Sequence, residues 1–522
     1  MKNIKIVTLF VFLFGIVGCE ESIDLENLNQ LNVENFYVNT AQLQNGLNGC
    51  YAGMRAPLTE EWSLTEVRSD NAFMSNRSTT NVNNLNLRDL DIFNPATNLN
   101  RIYNYWYSSY QNIRNVNFLL GSLNVNYNTN SGTISYDEFN LPVSELDRKQ
   151  MSAQASFIRA YHYFNLVRLY GDVFIIHDVL PPGASVTIDR APVSEVYKLI
   201  EADLINAIDN GISSTYSALP NADRGRVTTW AAKALLAKVY LTQNRKTEAI
   251  TLLNDVIVNS GYSLLTGTNS YANVFSSTNE MNAEILFAIR FKSGGLGQGS
   301  SLANLFAPIG FVINGNGLGY NGVTVEYANS FQAGDTRKDI NAKLQSGSNP
   351  NFRYYSSKHI TQVTLANDSE LDWPVLRFSD VLLMLAEAEG NTPNGLNAIN
   401  LVHQRAGLPA ILPSAITTTS EYETVLANER RWEFGAENQR WFDLLRFGTT
   451  LNSINVINAM ETHFDNMASV YNGSGGNAYN SNVGMPNISV IKNNLNNRTL
   501  LPIPQQKIDT NTTISITQNS GY

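Results

Sequence analysis

The 522-residue chain is 43% hydrophobic and 16% charged, with 36 Lys and Arg against 45 Asp and Glu and a net charge of −9. Phosphate binding needs clustered cations, so this balance argues against nucleic acid and, more weakly, against strongly anionic polysaccharides. With 24 Tyr and 23 Phe the chain has bulk for a large core, and its length calls for two or three subdomains rather than one simple core.

Lys2 and Lys5 open the chain, and an apolar run follows from Ile6 to Val17. A bilayer-spanning helix needs about 20 residues, so this shorter run reads as a signal segment. It ends Ile16-Val17-Gly18-Cys19, the small-residue-then-cysteine pattern of a bacterial lipoprotein signal. Residues 1–18 are therefore expected to be removed, Cys19 to carry lipid, and 19–35 to form a tether. Removing Lys2 and Lys5 leaves 34 basic residues against 45 acidic ones, a charge of −11. The acidic stretch Glu20-Glu21-Ser22-Ile23-Asp24 resembles the surface-export signal of Bacteroidetes lipoproteins; the alternative is an ordinary polar tether. With Cys19 acylated, Cys50 has no partner for an intrachain disulfide and reads as a small buried side chain.

Helical periodicity dominates the rest. Asn48 to Ala56 closes an early helix. Leu99 to Leu120 makes the next, with Tyr103, Trp106, Tyr107 and Tyr110 at i, i+3, i+4 and i+7. That stripe is a core face by its spacing, with a sugar platform as the alternative. Further helices are expected at 147–170, 194–209, 227–243 and 246–259. In the last two, Ala231, Ala234, Ala237 and Ala249 permit close antiparallel packing, with Asn244 between them, as in a tetratricopeptide pair. Residues 380–407 read as another such pair, and 147–170 with 194–209 as a looser one. Ala283 to Phe291 is the clearest strand. Asn- and Gly-rich stretches at 76–100, 124–133, 293–322 and 471–497 read as long surface loops, and Pro502-Ile503-Pro504 opens an extended C-terminal tail.

The motifs give no positive sign of catalysis. Gly294-Gly295-Leu296-Gly297-Gln298-Gly299 lacks the spacing, helix and acidic partner of a dinucleotide site, and reads as a mobile loop. Glu429, Glu433 and Glu437 recur at four-residue steps on one predicted helix. Paired carboxylates can hydrolyse glycosides, but Arg430, Arg431 and Arg440 are interleaved and mark an ion-paired structural helix. The five histidines show no metal spacing, and no cofactor is expected. A Ca²⁺ held by loop carbonyls and Asp leaves no such signature.

Taken together, these blocks resemble the SusD/RagB family of Bacteroidetes nutrient-binding lipoproteins. They are the lipobox Ile16–Cys19; Trp106, Tyr110, Ile113 and Asn117; Arg159-Ala160-Tyr161 with Leu166 to Val173; and Arg226 with Ala231 to Leu241. Leu376 to Asp380 with Ala386-Glu387-Ala388 follow. Then come Asn428 to Phe434, Arg440 to Arg446, Leu501 to Pro504 and Gln518 to Tyr522. The match spans nearly the whole chain.

The resemblance implies a mainly α fold of tetratricopeptide-like helix pairs, with a loop-rich variable region and few short strands. Helix pairs fall near 100–260 and 374–447 of a body running from 36 to 522, with a tail at 498–522. It implies a non-catalytic lipoprotein facing outward from the outer membrane. Such a protein captures oligosaccharide, or in some members peptide, for a SusC-like TonB-dependent transporter. A lipid-anchored glycosidase and a tetratricopeptide adaptor are the rival readings. By location, loops near 68–94 and 293–327 resemble the family's ligand-facing segments. Within them Asp70, Asn71, Phe73, Arg77, Phe306, Phe311 and Tyr320 are the candidate ligand contacts. These loops hold no Trp, though Trp62 is near, so broad starch stacking is not expected.

Overall fold

The computed structural model describes residues 37–74, 82–181, 183–308, 314, 317–345, 354–468, 487–511 and 513–522. Cys19, Arg77 and Phe311 lie outside these residues. The fold is mainly helical. The helices that build it are α1 (Thr40–Gly53), α2 (Arg55–Thr65), α3 (Val82–Asp91), α4 (Asn100–Ser122), α5 (Glu145–Tyr170), α6 (Val193–Asn210), α7 (Thr229–Thr242) and α8 (Lys246–Asn259). They continue with α9 (Phe378–Glu389), α10 (Pro393–Arg405), α11 (Thr419–Phe434), α12 (Arg440–Thr450), α13 (Val456–Asn466), α14 (Ile488–Asn497) and α15 (Gln505–Asp509). From α4 to α10 each helix packs on the next, so the antiparallel pairs form one continuous stack.

Local chemistry sets the ends. Ser144 caps α5 by accepting from the Asp147 amide, Glu145 and Asp147 lie in its positive first turn, and Gly171 at φ 72° stops it. Almost every α5 residue from Met151 to Tyr170 is buried, as befits a helix covered on all sides. Thr228 caps α7, and Asn244 at φ 59° turns the chain into α8. The alanines expected to allow close approach, Ala231, Ala234, Ala237 and Ala249, are all fully buried. Thr418 and Glu421 form a reciprocal capping box on α11. The tail is pinned to the end of α5: Leu501 N donates to Leu169 O at 2.8 Å, and Asn519 Nδ2 to Tyr170 O at 2.8 Å.

The strands are short. Ile285–Ile289 pairs antiparallel with Trp373–Arg377, with Trp373 opposite Ile289 and Arg377 opposite Ile285. A second sheet joins Ala72–Phe73 to Gly322–Val323 and onward to Tyr354–Tyr355 and Lys343–Leu344. The strand expected over 283–291 is thus present with trimmed ends. The Gly-rich run after it makes specific backbone contacts. Gly294, Gly295 and Gly297 take positive φ, the Gly294 and Gly295 amides donate to Asp368 Oδ2 at 2.8 and 2.9 Å, and Lys292 bridges to Gln298.

The carboxylate series near α11 is ion-paired, as expected, and buried, but its partners are not the interleaved arginines. α11 ends at Phe434, so Glu437 lies beyond it, in a turn where Ala436 and Asn438 take φ 63° and 60°. Glu433 accepts from Arg377 at 2.9 Å, Arg337 at 3.3 Å and Arg405. Glu429 accepts from Arg337 at 2.6 Å and faces His403 Nδ1 at 2.7 Å. Glu437 pairs with Arg377 at 2.8 Å and Lys358 at 2.6 Å, and Glu284 ties Arg377 to Arg405 at 2.7 and 2.8 Å. One turn along, Arg430 spans Asp380 and Asp443, Lys238 meets Asp380 at 2.6 Å, and Arg446 grips Glu387 at 2.7 Å. Burial alone would raise the Glu433 pKa, but the Arg405, Arg377 and Arg337 guanidinium groups outweigh it and hold the carboxyl well below the usual range.

Removing one charge strands several others in a dry interior. Glu433→Gln is expected to cost about 3–5 kcal/mol in urea unfolding at pH 7. The carboxyls of Glu433, Glu437, Asp70 and Asp443 are all depressed. Their contribution is therefore complete above the unfolded-state values of about 4 and is lost as pH falls below them. Wild-type stability should drop on acidification below about pH 4, with a shallower slope for the variant.

Candidate functional site

The two segments expected to face a ligand are brought together. Ala72 pairs with Val323 and Phe73 with Gly322. Thr324 adds its amide to Asn71 O and its hydroxyl to Asp70 O, each at 3.0 Å. Beneath this seam, Trp62 of α2 stacks on Tyr320 (6.4 Å, 12°) and meets Phe306 edge-on (5.3 Å, 80°). The Arg101 guanidinium lies 5.5 Å from the Trp62 ring and donates to Glu60 at 2.6 Å.

Five of the seven candidate contacts fall within the described residues: Asp70, Asn71, Phe73, Phe306 and Tyr320. None is more than 8% exposed. Asp70 receives Arg440 through two bonds at 2.7 and 2.8 Å and Arg431 at 3.2 Å. Burial by itself raises its pKa, but Arg431 and Arg440 reverse the effect and hold it low. Asn71 Oδ1 accepts from Arg431 Nε at 2.8 Å. Phe306 and Tyr320 form the base with Trp62. The observed contacts of these five side chains are within the protein, where they position the seam.

Open space lies beside this base. A groove of about 540 Å³ runs along α2, with Arg55 and Thr59 on one side and the turn from Leu296 to Ser301 on the other. The hydroxyl of Thr59, the amide of Gln298 and the guanidinium of Arg55 give it hydrogen-bonding variety. Arg55 is held by its own bond to Arg290 O at 2.6 Å. Sequence reasoning missed α2 as a wall of this region. Thr59 and Trp62 at i and i+3 carried a signal only in hindsight, because their partners lie over 230 residues away.

α2 is fixed from below by two buried carboxylates. Asn438 N donates to Glu66 Oε1 at 2.8 Å, and Asn438 Nδ2 to Glu61 Oε1 at 3.2 Å. Among the described residues Glu66 Oε2 has no hydrogen-bond partner, and desolvation pushes the Glu66 carboxyl up to about 7. Cys50 is buried as expected, with its thiol pushed up to about 12 by desolvation. Among the described residues no helix is long and apolar enough to cross a membrane.

Two family models match consecutive parts of the chain. One described as "Starch-binding associating with outer membrane" covers residues 23–241, and one described as "SusD family" covers residues 271–522. The chain belongs to the SusD/RagB family. It is similar to SusD-like protein P25 of Formosa agariphila, with 24% identity over 511 residues, covering 87% of this chain and 92% of that protein. A solved laminarin-binding SusD-like protein shares its fold, with TM-score 0.71, 24% identity, and coverage of 93% of this chain and 100% of the other. So does surface glycan-binding protein A from Bacteroides thetaiotaomicron, solved with laminarihexaose, with TM-score 0.69, 19% identity, and coverage of 92% and 99%.

A carboxyl whose folded pKa is raised contributes stability below its unfolded value and loses it as pH rises through the folded value. Glu66→Gln keeps an acceptor for the Asn438 amide and removes the charge. The variant should melt higher than wild type at pH 8, with the gap closing toward pH 5, as read by circular dichroism.

Proposed function

We propose that this SusD/RagB protein is a non-catalytic glycan-capture lipoprotein on the outer face of the outer membrane, passing oligosaccharide to a SusC-like TonB-dependent transporter. The observation that carries the reading is family membership through both parts of the chain. Two relatives of the same fold are named for laminarin or were solved with laminarihexaose. In this reading acyl chains on Cys19 hold the protein at the membrane, each buried CH₂ contributing about 0.8 kcal/mol. The 19–35 tether lets the helical body move as a lid.

The ligand face is the side where the 68–94 and 293–327 segments meet. Asp70, Asn71, Phe73, Phe306 and Tyr320 position it. Arg77 and Phe311 are the proposed direct contacts, with the groove beside α2 extending the surface. Sugar recognition needs a ring for the pyranose face and fixed polar groups for its hydroxyls, and a rigid base keeps the ordering cost low.

The test is a glycan array followed by calorimetry with the lipidated full chain. Binding of an oligosaccharide without turnover is expected, weakened at least about tenfold, or 1.4 kcal/mol, by Phe311→Ala. Sustained cleavage of the bound glycan, or binding to peptides and to no glycan, would overturn the reading.

A further inference from the structure

A further open space among the described residues lies away from that face. It is a cleft of about 610 Å³ between the outer side of α4, the segment 174–188 and α15. The aromatic stripe of α4 divides here. Trp106 is 1% exposed and sits edge-on to Tyr170 (4.8 Å, 85°) and Phe174 (5.8 Å, 89°), so it belongs to the core. Tyr107 is 45% exposed and stacks on Tyr103 (5.7 Å, 18°). The Tyr110 hydroxyl donates to Phe174 O at 2.8 Å, which locks the back wall.

Polar groups flank the rings. The Lys507 ammonium lies 5.8 Å from the centres of both Tyr103 and Tyr107. Arg114 stands 5.2 Å from the Phe118 ring. Among the described residues neither the half-buried Lys507 nor the exposed Arg114 has a carboxylate partner. Asp178, on the far wall, is occupied by His177 at 2.9 Å. Gln111 is also directed to the cleft. The result is an exposed Tyr107, already stacked on Tyr103, with Lys507, Arg114 and Gln111 lining the same cleft.

We propose that this cleft is a second saccharide-binding site, in which a pyranose packs on Tyr107 while its hydroxyl or carboxylate oxygens accept from Lys507, Arg114 and Gln111. The volume lies within the range of small-ligand pockets, roughly 300–1,000 Å³, and suits a short oligosaccharide. Aromatic faces bind pyranoses through dispersion and the ring quadrupole, and a ring already stacked loses little freedom on binding. The proposal rests on the glycan-capture reading. Two sites on one rigid body would let a long chain bind with the second contact made intramolecularly.

The experiment uses the lipidated full chain in nanodiscs, labelled with 3-fluorotyrosine. The Tyr107 resonance is assigned through Tyr107→Phe. The probes are laminarihexaose, maltohexaose and xylohexaose as neutral sugars and hexagalacturonate as the acidic one. At least one should shift the Tyr107 resonance saturably, and Arg114→Ala should weaken that response at least about tenfold. A preference for hexagalacturonate marks carboxylate recognition, and equal response marks hydroxyl recognition; both support the site. The shift should persist in Phe311→Ala. A Tyr107 resonance that no probe moves, while calorimetry still detects binding sensitive to Phe311→Ala, overturns this site alone. No binding of any probe by either measurement overturns it together with the glycan reading.

Discussion

The buried guanidinium–carboxylate lattice at the end of α11 is the constraint on which the rest of the molecule depends. Glu433 alone collects three arginines from three separate parts of the chain: Arg337, Arg377 and Arg405. Charges removed from water are tolerated only when each is met by an opposite charge with good geometry. Satisfying that demand fixes where the 335–345 segment, the 373–377 strand and α10 lie against α11. A purely apolar junction would hold these pieces together with less directional specificity.

The same lattice reaches the seam between the 70–73 and 322–324 segments. Arg431 and Arg440 leave the α11–α12 corner and grip Asp70 and Asn71. Those residues lead into the strand that pairs with Gly322–Val323. The stacked helices thus carry a stiff corner, and the corner carries the seam between two otherwise irregular segments. Trp62, Phe306 and Tyr320 fill the space beneath it.

Much of the scaffold was legible in the sequence because its signals are local. Alanine spacing and Asn244 lie within a few residues of the helix ends and contacts they define. The roles of Asp70 and Asn71 as polar groups locked inside the fold were not legible. Their partners lie 360 and 370 residues away, and a polar pair beside a loop reads equally as a ligand contact. Glu437 kept the four-residue period although the helix had stopped, because Arg377 and Lys358 stabilise it there without help from helix geometry. Likewise the α4 stripe gave one periodicity for Trp106 and Tyr107, but only the packing of Tyr170 and Phe174 turns one inward and leaves the other in the open. The contact of Gly294 and Gly295 with Asp368 was not legible because that residue lies over 70 positions away.

Hydrogen–deuterium exchange of an Asp70→Asn variant, read segment by segment by mass spectrometry at pH 7, tests the ion-locked seam most directly. The amides of 70–74 and 320–324 should both lose protection together, while those of α5 and α7 stay as slow as in wild type. Unchanged protection in both segments, with Arg431 and Arg440 deprived of their carboxylate, would contradict the account.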